Sequence, residues 1–337
     1  MKKLLLLICL LAGVVTTPVI NAQQNDTYTQ LLYRALTLYH PNNMAEMQNK
    51  IKDKTGAYSV HMQEIMTSYV ADHPQFLVEL MAPDAQRVIS EKELRTLLVT
   101  LSEPRFRSII DSVSFIGYHA SEYDSVSHRI IHNIPENDPF WDRKYALSAA
   151  NAKINLALSI NPQKFDTTFL QMANLVDSLQ WKHINNDEGW IDKYMTYAIN
   201  NGTFSIAEQT LIALMRMSPA IVAYIGSLGS DDKIREFALE YGAAVAMNQL
   251  AEYDYVVTEE DLDYLLQVTG TPEYAKLRDV FVHFFSQLIN VNQTFWCNCS
   301  SNIYDYAVEH FPDYQPEIQQ LETEKQQFCA PKNKTTK

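Results

Sequence analysis

Val88-Ile-Ser-Glu-Lys-Glu-Leu-Arg-Thr-Leu-Leu98, followed six positions on by Pro104-Arg-Phe106, returns 168 residues later as Val256-Val-Thr-Glu-Glu-Asp-Leu-Asp-Tyr-Leu-Leu266 with Pro272-Glu-Tyr274. From 88 to 113 seven of 26 positions are identical without a gap: Val88, Glu91, Leu94, Leu97, Leu98, Pro104 and Asp111 match Val256, Glu259, Leu262, Leu265, Leu266, Pro272 and Asp279. Ser90 and Thr258 stand where a helix N-cap is wanted, with Glu93 and Asp261 three residues on to complete a capping box. The leucines recur at helical spacing, and each proline opens a second helix whose first turn suits its fixed φ. The segment therefore predicts a helical hairpin, present twice. Its shared residues are caps, core leucines and a turn proline, so they specify architecture and no chemistry.

Outward from the repeat the same periodicity holds. Only nine glycines occur in 337 residues, and no two alternating β-branched runs are joined by a hairpin dipeptide. The expected fold class is all-α, two related helical units in a bundle or irregular solenoid. A first helix is predicted over 27–39, a weaker amphipathic stretch over 44–52, and a long one after Gly56 through His61, Ile65, Met66 and Tyr69. A short apolar helix from Phe76 ends near Pro83-Asp84, a turn signal. Beyond 136 helices are predicted over 141–159, 165–181, 190–200, 203–217, 219–227 and 231–252. The organisation expected is a signal peptide over 1–22, an N-terminal helical domain over 23–135, a C-terminal helical domain over 136–329 and a disordered tail over 330–337.

The first residues, Met1-Lys-Lys, an apolar run from Leu4 to Val15 and the small-residue site ending at Ala22, read as a cleaved signal peptide. The run is about a dozen residues, short of the roughly 20 that span a bilayer, and no later stretch reaches that length without charges. The mature chain is expected in the periplasm or secreted. Cleavage removes Lys2 and Lys3 and takes the formal charge from −13 to about −15. An acidic chain whose lysines and arginines are scattered singly repels phosphate backbones, so nucleic acid is excluded as a partner.

The motif Thr/Ser-Glu-x-Glu/Asp-Leu-x-x-Leu-Leu, followed by proline and a second amphipathic helix, resembles a signature of the secreted bacterial family called domain of unknown function 2059. At the turn this chain has Ser102-Glu-Pro104-Arg-Phe106 and Gly270-Thr-Pro272-Glu-Tyr274. The resemblance implies export and a helical fold, and carries no catalytic residue to any position here.

Four constellations hold chemistry-bearing residues. His119, Glu122, Asp124, His128 and His132 are the densest; His128 and His132, four apart, would stack on one helix face and suit zinc, which could activate a water for hydrolysis. Arg129 replaces the glutamate of a His-Glu-x-x-His motif, so a solvated segment beside a domain boundary is the reading preferred over a metal site at His119, His128 and His132. Cys297, Cys299 and Cys329 remain after processing, and an oxidising compartment favours one bridge. It joins Cys329 to Cys299, or to Cys297 in its place, closing a loop of about 30 residues, worth about 3 kcal/mol. The third thiol is then buried, cross-links two chains, or belongs to a redox or metal-transfer site. Glu252 to Asp263 holds six carboxylates without the alternating order of a calcium loop, and reads as a helix start suited to the dipole. Tyr194, Met195, Tyr197 and Leu214-Met-Arg-Met217 could line an apolar pocket, though core packing explains them more simply.

No nucleophile elbow, phosphate loop or dinucleotide fingerprint is present, and no cofactor is expected. The leading expectation is a non-enzymatic, exported binding or interaction module for a protein, a peptide or a small apolar ligand. The alternative is a metal-assisted hydrolase at the histidine cluster.

Overall fold

Ser90 and Thr258 cap their helices as the spacing predicts. The Glu93 amide donates to Ser90 Oγ at 3.3 Å while Ser90 N and Oγ donate to the Glu93 carboxylate at 2.8 and 2.7 Å. In the second copy the Asp261 amide donates to Thr258 Oγ1 at 3.1 Å and Thr258 Oγ1 donates to Asp261 Oδ2 at 2.7 Å. The helices that follow repeat residue for residue: Glu91–Leu101 and Pro104–Ser121 recur as Glu259–Thr269 and Pro272–Ile289, each bound displaced by 168. Buried positions recur with them. Leu94, Leu97 and Leu101 answer to Leu262, Leu265 and Thr269, and Phe106 and Ile109 to Tyr274 and Leu277, all buried.

The computed structural model describes residues 26–39, 59–73, 75–121, 134–135, 137–183, 189–289 and 292–330. The segment expected as signal peptide, the amphipathic stretch at 44–52 and the tail after Ala330 lie outside them. The described residues form sixteen α-helices and one 3-10 turn, with no strand, so the chain is all-α. Among them no single helix is long and apolar enough to cross a membrane.

The described residues divide into two compact units, one formed by those within 1–99 and 286–337 and the other by those within 100–285. In the first unit α1 (Tyr28–Tyr39), α2 (Val60–Asp72), α3 (Phe76–Val88) and most of α4 (Glu91–Leu101) share a core with the last two helices of the chain. In the second lie α5 (Pro104–Ser121), α6 (Pro139–Ile160), the turn Pro162–Lys164, α7 (Phe165–Ser178), α8 (Trp190–Asn200), α9 (Thr203–Met217), α10 (Pro219–Leu228), α11 (Asp231–Met247), α12 (Leu250–Val256), α13 (Glu259–Thr269) and most of α14 (Pro272–Ile289). The chain returns to the first unit within α14 and finishes it with α15 (Gln293–His310) and α16 (Gln315–Cys329). The boundary expected at 135/136 thus falls inside the second unit. Residues 286–329, expected in a C-terminal domain, fold with the N-terminal helices instead.

The reason is visible in the first unit's apolar faces. α1 packs on α3, and both α2 and α3 pack on α15. Met62, Ile65, Met66 and Tyr69 of α2 and Phe76 and Met81 of α3 are buried, as are Phe295, Trp296, Ile303 and Tyr306 of α15. Tyr69 sets its ring against Tyr306 and Phe76 at 5.3 and 5.1 Å. Tyr306 donates to Asp72 and Tyr314 to Glu64, so polar bonds seal the rim of this apolar contact.

Two helix ends differ from expectation. α3 does not stop at Pro83 but runs through it to Val88, because Pro83 and Asp84 lie on the solvent side while Ala85 and Ile89 reach the core. The helix expected over 231–252 breaks at Asn248-Gln249, and the chain resumes as the separate short helix α12. At Gly242 of α11 a Cβ would stand 2.5 Å from Cδ1 of Phe204 on α9, so the glycine permits the close packing of these two helices.

Candidate functional site

The break after α11 builds the most polar interior in the described residues. α12 is seven residues long and buries Glu252, Tyr253 and Asp254 in succession. Such carboxylates require partners, since an isolated buried charge is too costly to persist. α6 supplies them from the consecutive residues Arg143 and Lys144, 8 % and 6 % exposed. Lys144 pairs with Glu252 and also donates to Asn248 O at 3.4 Å. Asp254 accepts the backbone amides of Lys182 and His183 at 3.0 and 2.9 Å, with the Arg143 guanidinium at 3.5 Å. Arg143 also donates to Gln180 O at 3.1 Å and lies over the Trp181 ring.

An aromatic column stands beside these charges. His183 stacks on Trp190 and Trp190 on Tyr194, at 6.1 and 5.8 Å between centroids, and Tyr253 meets Tyr194 and Tyr197 at 5.0 and 5.4 Å. Tyr194 donates to Ala246 O at 2.7 Å, Tyr253 to Tyr197 Oη at 3.1 Å, and Tyr274 to Asn201 Oδ1 at 2.5 Å. Burial pushes the Tyr194 and Tyr253 phenols well above their ordinary value, and that of Tyr197 to about 12. They are neutral hydrogen-bond donors at any physiological pH. Tyr194 and Tyr197, considered above as pocket liners, are therefore buried core.

The six carboxylates from Glu252 to Asp263 are accounted for one by one. Beyond Glu252 and Asp254, Lys193 of α8 bridges Glu259 and Asp263 at 2.7 and 3.0 Å. Arg105, at the start of α5, reaches Glu260 and Asp261 at 3.1 and 3.0 Å and lies 4.7 Å from the Tyr264 ring centre. Tyr264 in turn donates to Glu103 at 2.7 Å. The turn of the first copy thereby clasps the first helix of the second. Burial raises the Asp261 carboxyl, but donation by Thr258 and Arg105 outweighs it and holds the group below its ordinary value. Glu259, Glu260, Asp261 and Asp263 are ion-paired in or beside the first turn of α13, where their position places them, whereas Glu252 and Asp254 are buried within α12.

Of the histidine cluster, Glu122, Asp124, His128 and His132 lie outside the described residues, as does the side chain of His119. Among the described residues no three His, Cys, Asp or Glu are placed to hold a metal ion. The disulfide is Cys297–Cys329, with Cα atoms 4.8 Å apart, and Cys299 is not in it. Two residues along a helix turn the side chain through about 200°. Cys299 consequently faces the core at 0 % exposure while Cys297 reaches α16.

The remaining feature with binding geometry lies on α6. Two seams of spacing four-three-four-three-four run along this helix on opposite sides. Phe140, Lys144, Leu147, Asn151, Ile154 and Leu158 turn inward, all buried but the half-buried Asn151. Asp142, Ala146, Ala149, Lys153, Leu156 and Ile160 turn outward, all exposed but the half-buried Ala146. Leu156 and Ile160 are 58 % and 72 % exposed. Along the outer seam α6 and α7 enclose a groove of about 530 Å³, floored by alanines of α6 and by Met172 and Leu175 of α7. Sequence reasoning missed this surface, although the second heptad phase is legible between 142 and 160 once the first has been assigned to the core.

Comparison with protein-family models, with characterised proteins and with solved structures returns no match to this chain.

Proposed function

We propose that this chain is an exported, non-enzymatic interaction module of the cell envelope, and that its contact surface is the outer seam of α6 with the groove beside α7. The observation that carries the reading is the exposure of Leu156 and Ile160 in line with an alanine-floored groove. Small residues let a partner's backbone approach closely, and large exposed apolar side chains in line with them supply the area to be covered. A helical segment laid along the groove satisfies both.

Site-specific photo-crosslinking in the producing cell tests this. A probe at Leu156 is expected to give discrete adducts, whereas one at the exposed Asp279 of α14 gives none; adducts at Asp279 with none at Leu156 would refute the assignment. Export is tested by the mass of the mature chain, expected to begin at Gln23. A chain that keeps Met1 to Ala22 in the cytoplasm would remove the envelope from the proposal.

A further inference from the structure

The outer seam of α6 is complementary to itself. Read from its N-terminal end it is acidic at Asp142, small at Ala146 and Ala149, basic at Lys153 and large and apolar at Leu156 and Ile160. Neither Asp142 nor Lys153 meets an opposite charge among the described residues. Laid antiparallel on a second α6 about a two-fold axis, the seam places Asp142 of each chain against Lys153 of the other. Ala146 then falls opposite Ala149, the close approach that a helix crossing requires. The same register sets Leu156 over Pro139 of the other chain, which is exposed at the first position of its helix. Such pairing is isologous: one patch serves both sides, and the charge contact occurs twice.

Resting on the reading of α6 as the contact surface, we infer that its occupant is a second copy of this chain, paired antiparallel through Asp142 and Lys153. Heptad spacing is the geometry by which two helices keep one seam in register over several turns. Here it extends along a helix of 22 residues. The inner seam of the same helix is already occupied by the core of its own unit, which fixes the outer one in orientation before a second chain arrives.

The test is sedimentation of the mature chain across about 1 to 100 µM, the range in which modest helix-pair interfaces dissociate. A monomer–dimer equilibrium is expected. Asp142→Lys and Lys153→Asp each place like charges together twice and should raise the dissociation constant about tenfold or more. The double reversal, and an equimolar mixture of the two single variants, restore both attractive pairs and should recover the dimer. All four positions of charge are exposed, so the melting curve of each monomer serves as a control for folding. A chain that is monomeric throughout this range, or a dimer indifferent to both reversals, overturns the inference. A monomer that still yields one discrete heterologous adduct at Leu156 would overturn self-pairing while leaving the interaction surface in place.

Discussion

Lys144 and Glu252 show what single residues decide in this protein. Both are buried, 8 % and 2 % exposed at the side chain, and neither position could be told from a solvated lysine or glutamate by its sequence neighbours. Lys144→Met should destabilise the second unit by about 3–5 kcal/mol, because it strands a carboxylate in the core. Adding Glu252→Leu should restore most of that loss, as measured by chemical denaturation; a double variant no better than the single would show that the pair is not the cause. Asp261 makes a prediction of the opposite kind, concerning pH. Its folded carboxyl titrates below its unfolded one, so its contribution is present above the unfolded value, near 3.9, and is lost as pH falls through the folded value. Melting temperatures of the parent and Asp261→Asn should therefore differ at pH 6 and converge in strong acid. The capping residues that create this shift were legible from Ser90-x-x-Glu93 and Thr258-x-x-Asp261, since a cap depends on neighbours three residues away. The partners of Glu252 lie more than 100 residues away, and no local pattern names them.

Helices were legible wherever one face repeats and glycine or proline punctuates the ends, as at Trp190–Asn200 between Gly189 and Gly202 and at Thr203–Met217 before Pro219, whose bounds match expectation. They were misread where tertiary burial overrides punctuation. Pro83 reads as a stop, yet the burial of Ala85 and Ile89 carries α3 past it. At this scale Thr258→Ala, which removes one cap, should cost about 1 kcal/mol. Gly242→Ala drives a methyl into Phe204 and should cost about 1–3 kcal/mol by overpacking, despite the better helix propensity of alanine. An unchanged or raised melting temperature for Gly242→Ala would show that α9 yields to accommodate it. The bridge between α15 and α16 spans 32 residues and should contribute about 3–4 kcal/mol. Reductant should lower the melting temperature of the parent and of Cys299→Ser, and leave Cys297→Ser unmoved.

The duplication was visible in sequence because it is written in caps and leucines at a fixed offset, but the division of the molecule was not. A domain boundary is expected where composition loosens, as it does near 121–139, whereas this chain passes between its units inside helices α4 and α14. What assigns α15 to the first unit is the complementarity of Tyr69, Phe76 and Tyr306, which periodicity cannot pair across more than 200 residues. Truncation after residue 285 should accordingly leave α2 and α3 uncovered and unfold the first unit while the second keeps its helices, measurable as a partial loss of helical circular dichroism. The same discontinuity dictates an order of events. The stretch 100–285 is continuous and can close as soon as it is complete, while α1 to α3 must wait for α15. At about 5–20 residues per second of synthesis, the earliest helices to emerge stay uncovered for on the order of ten seconds or more. A thread that cannot finish its own beginning until its end arrives leaves the apolar faces of its first helices open to other chains for that whole interval.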